Sequence, residues 1–279
     1  MTSPTIAEVG RKTWRTLEPY HGAIYFVPES NEEYRRVGVQ DPMAGYFASR
    51  AAAMGAVSAD VVIATFFNFD HGLVRQSMRG VWDVVTPATM QTARFAAADR
   101  MIRRLSPGAV DSADVAEAAT LARQAAEVAC ERPAGRPLFA GNAGLPWPDE
   151  PHLILWHAQT LLREFRGDGH VAALTWAGLT GCEALVTHAS AGDVPAAVLR
   201  SSRQRTDGDW QAAHESLRGR GWLDAEGSFT EVGRAGRTEI ERHTDALAAG
   251  PYAALGEAGC QRLRELVRPI SKQMTAAFT

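Results

Sequence analysis

Leu217-Arg218-Gly219-Arg220-Gly221-Trp222-Leu223-Asp224-Ala225-Glu226-Gly227-Ser228-Phe229-Thr230-Glu231-Val232-Gly233 is the stretch on which the fold turns. A helix reads up to Arg218. Two short apolar runs, Trp222-Leu223 and Ser228-Phe229, flank an Ala-Glu-Gly turn, the pattern of a minimal β-hairpin. Thr230 then suits an N-cap, because its hydroxyl can accept from a backbone N–H that the first helical turn leaves unpaired. A long helix over 230–248 follows. Upstream, 194–199 and 207–218 read as a short and a longer helix, the second capped by Thr206 or Asp207.

Working outward, helical periodicity dominates the chain. Helices are predicted over 7–25, kinked or split at Pro19, then over 31–37, 43–54, 58–67 and 70–78. The stretch 86–105 carries Thr86 as cap, Pro87 at the first helical position and Pro107-Gly108 as its stop. An alanine-rich amphipathic helix covers 111–131. Residues 132–150 hold Pro133, Pro137, Pro146 and Pro148 among glycines, with Leu138, Phe139, Leu145 and Trp147 to pack on the body. A helix over 151–166 is interrupted by Gly167-Asp168-Gly169. It resumes at His170, with a break near Gly178 or Gly181, and 256–267 closes the fold. The predicted organisation is therefore an N-terminal helical domain over 1–131, a packed Pro/Gly-rich connector over 132–150 and a winged-helix-like domain over 151–279. The fold class is mostly α. Residues 45–82 and 171–210 share a helix, gap, helix and terminal tryptophan, the pattern of a degenerate tandem repeat.

Bulk properties limit the function classes. The 279 residues carry 29 Lys and Arg, 32 Asp and Glu, and a formal charge of −3. Divided at Glu150, neither half is basic, so strong sequence-independent DNA binding is not expected. Cys130, Cys182 and Cys260 are odd in number and widely spaced, which argues against a disulfide framework and for a reducing, cytoplasmic setting. No apolar run reaches membrane-spanning length and no secretory signal is read at the start. Walker A, G-x-S-x-G, HExxH and EF-hand patterns are missing, so no metal is predicted and no cofactor can be named.

The order of elements over 195–248 resembles the C-terminal half of MarR-type winged-helix regulators, with Phe229-Thr230-Glu231-Val232-Gly233 in place of the turn that opens their dimerisation helix. The whole chain also resembles a sparsely characterised bacterial helix-turn-helix family of similar length. That likeness lies in Glu18-Pro19-Tyr20-His21, Gly45-Tyr46-Phe47-Ala48, Leu145-Pro146-Trp147-Pro148 and Leu162-Arg163-Glu164 through Arg166-Gly167-Asp168-Gly169-His170. The resemblance implies a DNA-reading fold without a settled activity. Arg200, Arg203, Arg205, Arg218 and Arg220 are the candidate DNA contacts; the alternative is that they are solvated surface arginines. Asp207, Asp209 and Glu215 on the presumed recognition helix, and Asp224 and Glu226 at the turn, oppose contact with phosphate.

Candidate pocket residues come from helical faces. Glu18, His21 and Tyr25 share one face of the first helix, beside an apolar stripe of Leu17, Tyr20 and Ile24. Tyr46 and Arg50 sit four residues apart; an arginine there is either paired internally or free to take a ligand carboxylate. Asn68 lies among Phe66, Phe67 and Phe69, as part of a core and cap or as a cavity wall. His157, Thr160 and Glu164 share a face. Arg166, Asp168 and His170 either converge on a pocket or belong to a cap in which Asp168 opens a helix. Residues 167–172 match G-x-G-x-x-A, but a helix precedes them where a dinucleotide fold needs a strand. Two readings follow: a ligand-responsive regulator acting as a homodimer on double-stranded DNA, or an enzyme or ligand carrier that keeps the scaffold without binding DNA.

Overall fold

The computed structural model describes residues 4–192 and 194–278. In chain order its helices are α1 (Ile6–Gly22), α2 (Pro28–Arg36), α3 (Pro42–Ala51), α4 (Ala59–Phe66), α5 (His71–Met78), α6 (Val81–Val84), α7 (Pro87–Leu105), α8 (Ala113–Cys130), α9 (Pro137–Ala143), α10 (Pro151–Trp176), α11 (Gly181–Ser190), α12 (Ala196–Arg203), α13 (Asp207–Gly219) and α14 (Glu231–Met274). No strand occurs among the described residues, and no single helix there is long and apolar enough to cross a membrane.

The chain divides into two compact units whose segments interleave. The first takes Met1–Val57, Gly80–Asp168 and Asp245–Thr279; the second takes Ser58–Arg79 and Gly169–Thr244. The core of the first unit gathers Leu17, Tyr20 and Ile24 from the start of the chain, Met101 and Ile102 from α7, Leu155, Trp156 and Leu161 from α10, and Leu263 and Val267 from α14. Helix α8 presents Val115, Ala118, Ala119, Ala122, Ala125, Ala126 and Ala129 to that core. Steps of three and four residues put these small side chains on one face.

The second unit has its own core of Leu174, Leu185, Val186, Leu199, Trp210, Leu217, Trp222 and Ile240. Helices α12 and α13 are joined by three residues, Gln204 to Thr206, with Gln204 in the left-handed region (φ 49°). Thr206 forms a capping box with Asp209, satisfying two backbone N–H groups at the start of α13.

The structure departs from the sequence reading in several places, among them a short helix, α9, inside the predicted connector. The β-hairpin is not formed; Leu223 and Phe229 make a single antiparallel bridge. The cause is local. The Asp224 carboxylate accepts from the N–H groups of Glu226 and Ser228, which folds the segment into a tight turn. Backbone pairing is limited to Asp224 N–H to the Ser228 carbonyl at 2.9 Å and Thr230 N–H to the Trp222 carbonyl at 3.0 Å, because the Thr230 hydroxyl takes the Gly221 carbonyl and α14 starts at the next residue.

Helix α10 runs unbroken through Gly167-Asp168-Gly169. Each glycine costs up to about 1 kcal/mol in a helix, but Leu161, Leu162, Phe165 and Leu174 are buried along it, and that packing outweighs the penalty. Helix α1 is a single helix across Pro19 rather than two; the proline removes one backbone hydrogen bond. Finally, α14 extends past residue 248 to Met274, with a kink at Gly256 (φ 65°, ψ 178°).

Gly233 explains how the bridge and α14 meet. A Cβ there would lie 2.1 Å from the Trp222 carbonyl oxygen and 2.8 Å from the Phe229 ring. Gly233→Ala is therefore expected to lower unfolding free energy by about 1–3 kcal/mol, the usual cost of overpacking. Gly219→Ala, whose Cβ meets nothing within 4 Å, should leave stability unchanged or slightly raised in the same denaturant titration.

Candidate functional site

The first unit contains a dense group of buried charges. Because α1 is unbroken, Glu18, His21 and, in the turn that follows, Tyr25 lie along one side. Tyr46 and Arg50 come from α3, Arg94 and Phe95 from α7, and Trp156, His157, Arg163 and Glu164 from α10. The Arg50 guanidinium donates to both Glu164 oxygens at 2.9 and 3.1 Å and to the Tyr46 hydroxyl at 2.8 Å. Arg163 donates to Glu18 and to Glu164, each at 2.9 Å. Burial works to raise the Glu164 pKa, but Arg50 and Arg163 outweigh it and hold the carboxyl below the usual range. The pair Arg50–Glu164 is therefore ionised in the interior, a geometry that tolerates no missing partner.

Arg94 differs from the other two arginines. Its side chain is 3% exposed, yet no carboxylate pairs with it among the described residues. It donates to the Tyr25 hydroxyl at 3.2 Å and approaches His21 Nε2 at 3.5 Å. It also lies 5.3 Å from the centre of the Trp156 ring. His21 is wholly buried and stacks on Trp156 at 5.2 Å with 19° between planes. Burial first, then the charges of Arg163, Arg94 and Arg50, push its pKa well below the ordinary value, so the ring is neutral near pH 7. His157 is pushed down to about 4, by burial and then by Arg94 and Arg123; it packs edge-on against Trp147 at 4.9 Å. Neither histidine is a base near neutrality. No cluster of metal-ligating side chains occurs among the described residues. The arrangement suits recognition of an anion.

The remaining candidates lie elsewhere. The Tyr20 hydroxyl donates to the His152 carbonyl at 2.9 Å, deep in the core. Arg166 pairs with Asp245 at 2.7 Å and lies over the Trp14 ring. Asp168 accepts from the Phe139 N–H at 2.9 Å. It thus caps α9, in place of the expected helix after Gly167, and burial pushes its carboxyl up to about 6. In the second unit, His170 Nδ1 faces the Thr244 hydroxyl at 2.9 Å. Asn68 offers its carbonyl to Arg205 at 3.2 Å. Of the four groups His21, Arg50, His157 and His170, the first three belong to the first unit and His170 to the second.

Most of the candidate DNA contacts are engaged within the second unit. Arg205 donates to the carbonyls of Asn68 and Phe69, bracing the turn between α12 and α13. Arg220 donates to those of Gly178 and Ala177. Arg200 pairs with Asp207, and Arg203 lies 4.4 Å from the Phe69 ring centre. Arg218 stands exposed on α13 beside Gln211, Ala212 and Glu215.

Arg94, Arg163 and Trp156 were not singled out as site residues from sequence. Arg94 does leave a signal. Its helical neighbours Met90, Ala97, Ala98 and Met101 are all apolar and all buried, so it is a lone cation on a core stripe.

The profile of a helix-turn-helix family matches residues 10–279. No curated protein and no solved structure matches the chain.

The ion pairs give a direct test. Glu164→Gln removes the carboxylate that Arg50 and Arg163 share, while Glu18 still pairs with Arg163. It is expected to cost about 3–5 kcal/mol of unfolding free energy in urea titration, the range for breaking a buried pair; Glu239→Gln, at an exposed pair with Arg242, should leave the unfolding midpoint essentially where it is.

Proposed function

The chain belongs to the helix-turn-helix family, and on that premise we propose that it is a small-molecule-responsive, DNA-binding regulator. Its sensor is the arginine cluster of the first unit and its reader is the α12–α13 pair. The observation that carries the reading is Arg94: a cation buried without a carboxylate, in a family whose namesake motif serves DNA recognition. The pocket then draws on His21, Tyr46, Arg50 and His157. Tyr20, Asn68, Arg166, Asp168 and His170 act by supporting the surrounding elements. Helix α10 carries Trp156, Arg163 and Glu164 and continues to Trp176 in the second unit, which gives a bound ligand a covalent route toward the reader. A ligand that favours one arrangement would change DNA affinity by population shift. The likeness to MarR-type regulators, and a homodimer, belong to the same proposal. The exposed side chains of Trp176 and Val232 support self-association.

One observation favours a second reading, in which the protein is a ligand carrier without DNA binding. The segments of the second unit hold twelve carboxylates against ten arginines, and four of the five candidate arginines have partners inside the unit. The regulator reading therefore predicts few phosphate contacts and a shallow salt dependence.

A band-shift with genomic fragments at low salt decides between the two. Under the regulator reading the protein shifts at least one fragment, and Arg218→Glu weakens that binding by about tenfold or more. Binding to no fragment, with the fold intact by circular dichroism, removes the reader and leaves the carrier.

A further inference from the structure

We propose that the arginine cluster of the first unit binds a small organic monocarboxylate, anchored by Arg94 and held against the His21–Trp156 stack. The proposal rests on the sensor reading above and adds the chemistry of the ligand.

The charges are unequal. Arg50, Arg94 and Arg163 face Glu18 and Glu164, and the two neighbouring histidines are neutral. One buried positive charge is left over, and an interior tolerates such a charge only with a counter-ion. A single negative charge balances it. A dianion would overshoot, and a cation would add to the surplus.

The unsatisfied atoms point the same way. Arg94 Nη1, Trp156 Nε1 and His21 Nδ1 are buried without a hydrogen-bond partner. The first two are donors. The third is a donor as well: Arg94 can only donate, so the His21 Nε2 facing it carries the lone pair, and the ring proton of the neutral imidazole sits on Nδ1. The three N–H groups belong to one packed set, since Trp156 stacks on His21 at 5.2 Å and lies under the Arg94 guanidinium at 5.3 Å. A buried donor without an acceptor is destabilising. A carboxylate is acceptor-only, with two oxygens and several lone pairs to meet them. Glu18 Oε2, an acceptor without a partner next to Arg163, suits a hydroxyl on the same molecule.

The surroundings set the rest of the ligand. Tyr25 is the hub: Arg50, Arg94 and Arg163 stand 5.5, 5.8 and 5.4 Å from its ring centre. Tyr25, Tyr46, Phe95, Arg163 and Glu18 all keep partial exposure, so the aromatic rim of the cluster meets solvent while Arg94, His21 and Trp156 lie beneath it. An apolar, ring-bearing body matches the chemistry of these aromatic neighbours. Water would meet the donors without cancelling the charge.

The test is titration calorimetry on the full chain, in low-chloride buffer, with phenylacetate and mandelate as probes. The neutral phenylacetamide and inorganic nitrate serve as comparisons. Expected are saturable one-to-one binding of a carboxylate with Kd below about 1 mM, quenching of tryptophan fluorescence, and affinity for phenylacetamide lower by about tenfold or more. Arg94→Gln should lose carboxylate binding by a similar factor, while its apo form melts no lower than the wild type, because the substitution removes an uncompensated charge. Should that variant fail to fold, the carboxylate-to-amide comparison on the wild type decides. Absence of binding by both carboxylates, equal binding of phenylacetamide, binding of nitrate alone, or full affinity in folded Arg94→Gln overturns the proposal. Equal binding of the amide would strike the carboxylate while leaving the sensor in place; failure of DNA binding strikes the regulator reading whatever the ligand result.

Discussion

Three guanidiniums and two carboxylates meet in the first unit, with Arg50, Arg94 and Glu164 buried and Arg163 and Glu18 partly exposed, and the protein has to accommodate that imbalance. Glu164 sits between Arg50 and Arg163, and Glu18 takes the second side of Arg163. These contacts join α1, α3 and α10, and Arg94 brings in α7. Pairing in the interior is worth keeping only when each partner is present, because a lone buried charge costs several kcal/mol. Arg94 is the place where pairing stops. Burial, followed by the charges of Arg163, Arg94 and Arg50, keeps His21 neutral, and burial with Arg94 and Arg123 does the same for His157; donors around the Trp156 ring stay unmet. The chemistry of the site follows from that single excess.

The second unit solves a different problem. Its arginines are spent on geometry. Arg205 fixes the turn before α13 by binding two carbonyls of the segment between α4 and α5, and Arg220 closes the end of α10 in the same way. Asp207 and Asp209 serve Arg200 and the capping box. The acidic start of α13 thus has a structural cause, which weakens its force as evidence about DNA in either direction. Arg218 keeps its freedom on the exposed face.

The helices were legible because their signals are local. Thr86-Pro87, Ser58 and Thr206 each cap the helix that the sequence places after them. Where the reading failed, tertiary contacts outweighed local propensity. Gly167 and Gly169 mark a break by composition, yet packing on both sides carries α10 across them, and Asp168 is recruited to cap α9. The Trp222–Phe229 segment alternates like a hairpin, but the Asp224 side chain folds it into a tight turn and α14 begins directly after Thr230, so pairing stops at one bridge. The faces 18–21–25 and 46–50 were visible as periodic patterns and lie in the cluster. That they meet Arg94 and the α10 face was not visible, because no spacing rule links four separate helices. Whether a buried arginine has its carboxylate is a property of the assembled interior.

The central claim is that burial, together with the arginine charges around it, holds His21 neutral with its bare nitrogen toward Arg94. Nitrogen-15 NMR of the histidine side chains across pH measures that state directly. The account predicts that His21 stays neutral well below pH 6.5, with the proton on Nδ1 and a bare Nε2 toward Arg94. An imidazole that titrates near pH 6.5, or that carries its proton on Nε2, would contradict it.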